Sequence, residues 1–139
     1  MSSVSNAGGD SSCELYQEIF NETLKSFTKD VQSAVNSTIE NMENFADENP
    51  NLSQNEFNIG LKEIHSTGQK NLSQIFQTFE NIVVGLTSVS HVYLESVMFD
   101  DKPNEKFPLS CIENIFQAKY EMQVNHERLG YNLIKFTRK

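Results

Sequence analysis

Three histidines, two cysteines and a surplus of carboxylates are the side chains of this sequence that could do chemistry. His65, His91 and His126 carry the imidazoles that a zinc or copper site uses. No two of them stand three or four residues apart, the spacing that puts two ligands on one helical face, and neither HExxH nor CxxC occurs. Cys13 and Cys111 are too few for a disulfide framework, and their spacing fits no zinc pattern. Each falls in the first turn of a predicted helix, where the helix dipole lowers a thiol pKa. An up-down-up arrangement would bring them to the same end, so a redox pair is one reading; two unrelated small residues in a reducing compartment is the favoured one. Glu80 and Glu95 flank the most apolar stretch, but a helical wheel centred on Leu86 sets both near the outer face, as solvated residues. No acid pair, Ser-His-Asp grouping or Gly-rich phosphate loop stands out. The chain therefore reads as non-enzymatic, with neither cofactor nor metal expected.

These side chains would be positioned by helices. Only three prolines, Pro50, Pro103 and Pro108, interrupt the 139 residues, which favours a few long helices over many short strands. Residues 1–10 are rich in Ser, Gly and Asn and read as a disordered tail. Ser11 and Glu14 then have the spacing of a capping box. Tyr16, Ile19, Phe20, Leu24, Phe27, Val31, Val35, Ile39 and Met42 follow in steps of one, three and four, predicting a helix over about 11–47. Leu24, Val35 and Ala46 stand eleven apart, as do Val31 and Met42, a repeat that favours straight or slightly right-handed packing.

After Pro50 a second capping box, Ser53 and Glu56, comes with Leu52 and Phe57 as the partners of a hydrophobic staple. The apolar rhythm runs on through Leu61, Ile64, Leu72, Ile75, Phe79, Ile82, Leu86, Val89, Tyr93 and Val97, predicting a second helix, the longest, over about 53–100. Gly60, Gly68 and Gly85 each cost it roughly 1 kcal/mol against Ala. Either the helix kinks near Gly68, or its glycines let a neighbouring helix approach closely. Ser110 and Glu113 open a third helix over about 110–138, carrying Ile112, Ile115, Phe116, Tyr120, Met122, Leu129, Leu133 and Phe136. Short connections suit antiparallel neighbours. The expected fold is all-α: an elongated antiparallel three-helix bundle, up-down-up and coiled-coil-like, with residues 11–139 as a single helical domain.

Net charge is −8, against the basic footprint that nucleic acids and anionic membranes select. Residues 1–101 hold fifteen acidic and four basic side chains, and residues 102–139 hold four acidic and seven basic. The third helix is thus suited to pack on the rest or on an acidic partner. The N-terminus has no basic or hydrophobic region of a signal peptide, so the expected location is intracellular, in cytoplasm or nucleus. Sequons at Asn21, Asn36, Asn51 and Asn71 are about what chance yields in so Asn- and Ser-rich a chain. Residues 82–94 are uncharged over roughly 20 Å of helix, short of the ~30 Å hydrocarbon core, so no membrane span is expected.

The surplus lies in residues 82–99. Val84, Val92, Met98 and Phe99 point more than about 100° from the core direction of that wheel, and a helix apolar on both sides is covered on both sides. With His126, in mid-stripe on the third helix, they form the candidate partner interface. The sequence points to an interaction protein, a subunit or adaptor of a homo- or hetero-oligomeric complex. The alternative is a helical bundle that carries a lipid or other apolar ligand on the same side chains. No motif identifies a family.

Overall fold

The computed structural model describes residues 9–99 and 114–137, with side chains from residue 14 onward. The described residues form four helices and no strand: α1 (Gly9–Glu48), α2 (Gln54–Thr87), α3 (His91–Phe99) and α4 (Ile115–Thr137). The fold is all-helical, as the periodicity predicts, but with four helices where three were expected. The longest is α1, not the second helix. It begins two residues before Ser11, which therefore lies within its first turn and not at its cap. The side chains of residues 9–13, Cys13 among them, and all of residues 100–113, with Cys111 and Ser110, lie outside the described residues, as does the predicted tail up to residue 8.

At the α1–α2 connection the local chemistry follows the sequence closely. Asn49 Nδ2 donates to the Phe45 carbonyl at 3.0 Å, occupying one of the acceptors left over at a helix end, and Pro50 cannot extend the helix. Ser53 caps α2: its Oγ accepts from the Glu56 backbone N–H at 3.2 Å and donates to Glu56 Oε1 at 2.9 Å. This is the N-cap half of a capping box, with the carboxylate turned to the hydroxyl instead of the backbone.

The glycine alternatives resolve toward close approach. Helix α2 runs unbroken through Gly60 and Gly68. A Cβ on Gly68 would lie 2.5 Å from Thr38 Oγ1 and 2.6 Å from its Cγ2, and one on Gly60 would overlap the Phe45 ring. The break falls twenty residues later. Ser88 takes a left-handed φ of 61°, while its N–H still bonds the Val84 carbonyl at 2.8 Å, so it ends α2 as a C-terminal residue in the conformation usually given to Gly or Asn. Two residues on, Ser90 Oγ accepts from the Tyr93 N–H at 3.0 Å and caps α3. The axis turns by 120° between α2 and α3.

Contacts group the chain into two compact units, Met1–Thr28 with Gln77–Tyr120, and Lys29–Phe76 with Glu121–Lys139. In the first, Phe79 packs on Phe27 at 4.4 Å and on Phe20 at 6.1 Å between ring centroids, within the distance at which tilted rings attract. Val83, Leu94, Val97, Met98, Ile115 and Ala118 are buried in the same unit. In the second, Val31, Val35, Ile39 and Met42 from α1 join Leu61 and Leu72 from α2, and Met122 and Leu129 from α4. Here Thr38 meets Gly68 and Phe45 meets Gly60, so α1 and α2 run antiparallel within this unit.

Candidate interaction surface

The bend at Ser88 redistributes the residues expected to form one exposed face. Val92 stands 79% exposed and Phe99 52%, on the outer side of α3. Val84, at the end of α2, is half-buried. Met98 is 1% exposed, in the core of the first unit, which corrects its assignment to the outer face: once α3 turns away from α2, Leu94, Val97 and Met98 become its inward side. His126 is half-buried on α4 and lies near His65 of α2 in the second unit. Burial holds both imidazoles below their ordinary value of 6.5, and for His65 the nearby His126 adds to the effect. The structure therefore leaves Val92 and Phe99 outward and draws Met98 and His126 inward.

The same bend assembles a polar group that the wheel misplaced. Glu80 is not solvated: it is 5% exposed. Its Oε1 lies 3.4 Å from His91 Nδ1 at the start of α3, and its Oε2 is buried with no hydrogen-bond partner. Burial raises the Glu80 pKa above its ordinary 4.5, the neighbouring Glu95 carboxylate raises it further by favouring a shared proton, and His91 opposes both. The expectation that Glu80 faces solvent is corrected, for the core face of α2 passes through Phe76, Phe79 and Val83 and not through Leu86. Chemically the cluster is a tie between α2 and the start of α3. Among the described residues no three His, Cys, Asp or Glu side chains come together as a metal site would require.

Helix α4 carries the surface that sequence reasoning missed. Its buried side chains Ile115, Ala118, Met122, Asn125, Leu129 and Phe136 form one face. Roughly 180° around the helix, by the 100° step per residue, a second row is exposed: Phe116 at 49%, Tyr120 at 60%, Val124 at 40%, Tyr131 at 66% and Ile134 at 50%. Single exposed apolar residues are ordinary, but five on one helix face, interrupted there by Glu127, are the kind of patch that marks an interaction site. The signal was present in the sequence. The buried set includes Ile115, Met122, Leu129 and Phe136 at an interval of seven, and Phe116, Tyr120 and Val124 form a separate row at an interval of four.

Other surfaces are less specific. A crevice of about 320 Å³ opens at the α1–α2 turn, lined by Ala46, Asn49, Pro50, Leu52, Gln54 and Phe57. No single helix among the described residues is long and apolar enough to cross a membrane; α2 and α3 reach that length and composition only together, across the 120° bend. Compared with protein-family models, curated proteins and solved structures, the chain matches none.

Proposed function

We propose that this protein acts without catalysis, as a subunit or adaptor of a protein complex, through an exposed apolar helix face. The observation that carries the reading is α4: one face is buried within its own chain, and the opposite face holds five large apolar side chains in solvent. Leaving such a row uncovered forgoes roughly 25 cal/mol for each Å² of apolar surface, so a partner that covers it gains that energy. Val92 and Phe99 on α3 offer a smaller second patch. A carrier of an apolar ligand would enclose these side chains around a cavity, whereas here they point outward.

The test replaces Tyr120 and Tyr131 together by Glu. Both are well exposed, so helicity by circular dichroism is expected to stay unchanged, while the assembly seen by light scattering, or the partner recovered from the native source, is lost. A wild-type chain that is monomeric, and whose recovered partners are the same as those of the double variant, would remove the basis of the reading.

A further inference from the structure

The exposed row on α4 has a symmetry that selects its occupant. Phe116 and Ile134 stand nine residues either side of Asn125, and Tyr120 and Tyr131 are equally spaced about a point between Asn125 and His126. To within one residue, four of its five positions are therefore mirrored by another apolar residue of the row, while the fifth, Val124, is mirrored by Glu127; self-complementarity of this kind is what an isologous two-fold contact requires. We propose that the outer face of α4 is the interface of an antiparallel dimer of this chain. The inference rests on the assembly reading and names its partner.

Laid antiparallel about that point, Phe116 meets Ile134 of the second copy, Tyr120 meets Tyr131 of the second copy, and Val124, beside the axis, faces Glu127 of the second copy. The flanks match as well. Glu121 and Arg128 lie on the same edge of the row, each about 90–100° from its centre by the helical period. In the antiparallel pair, Glu121 falls within two residues, about 3 Å along the axis, of Arg128 of the second copy, giving two symmetric opposite-charge pairs. Lys119 of each copy is about 20 Å along the axis from its own counterpart, so the basic residues do not oppose one another. The α4 dipoles run in opposite senses, which is favourable.

Size is adequate. The five side chains expose on the order of 500 Å². With the stems of flanking residues, the face of a helix about 34 Å long approaches the roughly 800 Å² per partner of a standard interface. One residue works against the pair: Glu127 lies inside the row beside the axis, where its carboxylate faces Val124 of the second copy and stands about 4.5 Å along the axis from its own counterpart.

The experiment is sedimentation equilibrium of the full chain over a concentration series, with cysteine crosslinking in a background carrying Cys13→Ser and Cys111→Ser. A concentration-dependent dimer is expected, weakened about tenfold or more by Tyr131→Glu and tightened several-fold by Glu127→Gln. On oxidation, the Tyr120→Cys/Tyr131→Cys chain should form a covalent dimer and the Tyr120→Cys chain should not, because its two thiols are eleven residues apart along the axis. A wild-type chain that is monomeric throughout, a dimer indifferent to Tyr131→Glu, or crosslinking of Tyr120→Cys alone would each overturn the proposal. If the monomeric chain still binds a protein from its native source and Tyr131→Glu abolishes that binding, self-association fails and the assembly reading stands. If binding too is indifferent to Tyr131→Glu, both fail.

Discussion

Replacing Gly68 by Ala tests how closely α1 and α2 approach. In an exposed helix interior this change stabilises by about 1 kcal/mol, through helix propensity alone. At Gly68 the new Cβ would lie 2.5, 2.6 and 3.0 Å from Thr38 Oγ1, Cγ2 and Cβ, inside any ordinary contact distance. Thr38 cannot swing away cheaply, since it is 5% exposed and its hydroxyl donates to the Ala34 carbonyl at 2.8 Å. Forcing extra volume into a packed site costs roughly 1–3 kcal/mol, so strain cancels or outweighs propensity and Gly68→Ala should destabilise by up to about 2 kcal/mol. The control is internal: a Cβ on Gly85 or Gly130 meets nothing within 4 Å, and Ala there should stabilise by up to ~1 kcal/mol. Urea unfolding followed by circular dichroism reads all three. Gly68→Ala made in a Thr38→Ala background should recover at least ~1 kcal/mol of the loss as coupling between neighbours. If Gly68→Ala proves as stabilising as Gly85→Ala, the helices do not touch there and the reasoning is refuted.

Three further changes probe the bend and the buried titratable groups. Ser88 holds φ at 61°, a conformation that costs an L-residue about 1–2 kcal/mol and Gly far less; Ser88→Gly should therefore raise the urea midpoint by the equivalent of ~0.5–1 kcal/mol, and an unchanged or lower midpoint would deny the left-handed turn. His65 and His126 have pKa values lowered in the folded protein, so the unfolded chain takes up protons first as pH falls below about 6.5. Their contribution is full above 6.5 and is lost as pH drops toward the folded values. His65→Asn with His126→Asn should flatten the decline in stability between pH 7.5 and 5.5, and an equal slope in the two proteins would contradict this. Glu80 has the opposite sign: its pKa is raised on folding, so its contribution is full below about 4.5 and is lost as pH rises through the folded value. Glu80→Gln should thus stabilise at pH 7.5 and change little at pH 4, and a loss at pH 7.5 would show that the His91 contact outweighs burial.

What the sequence reveals of this fold depends on how tightly each local rule binds. The α1 stripe, the Ser53 cap and the Pro50 break are read directly, because three-and-four spacing, a hydroxyl before a helix and a missing N–H each act within a few residues. The end of α2 is not. Apolar residues continue past Thr87 without pause, and periodicity sees no boundary, yet Thr87-Ser88-Val89-Ser90 is a run of β-branched and hydroxyl residues that compete with the helical backbone for hydrogen bonds. Thr87 Oγ1 does so here, donating to the Val83 carbonyl at 2.7 Å and accepting from the Val89 N–H at 3.3 Å. Overlooking that break carried α2 through to Phe99 and put Met98 on the wrong side. Glu80 failed for a second reason. Leu61, Leu72 and Val83, all buried, continue in α2 the eleven-residue interval read in α1, and a face advancing by 3.67 residues per turn drifts away from a wheel set to 3.6. Between Glu80 and Leu86 that drift is only about 11°, and the larger error is the wheel's centre: Leu86 is half-buried, and Glu80 lies about 120° from it but only about 70° from the mean direction of the buried Phe76, Phe79 and Val83.

Helix α4 shows the limit of counting apolar residues without separating them by angle. Taken as one stripe, Ile115, Phe116, Tyr120, Met122 and Leu129 look like a generous core. Taken by angle they are two faces, one used by the chain itself and one left in water. Tyr120 and Tyr131 belong to the second, and their phenol groups suit it, giving a large apolar area and a polar tip that tolerates exposure in the free chain. A core built for this chain alone would have no use for them at 60% and 66% exposure. It is this division, more than the apolar surplus of residues 82–99, that argues for assembly, and it moves the centre of the proposed contact from α3 to α4.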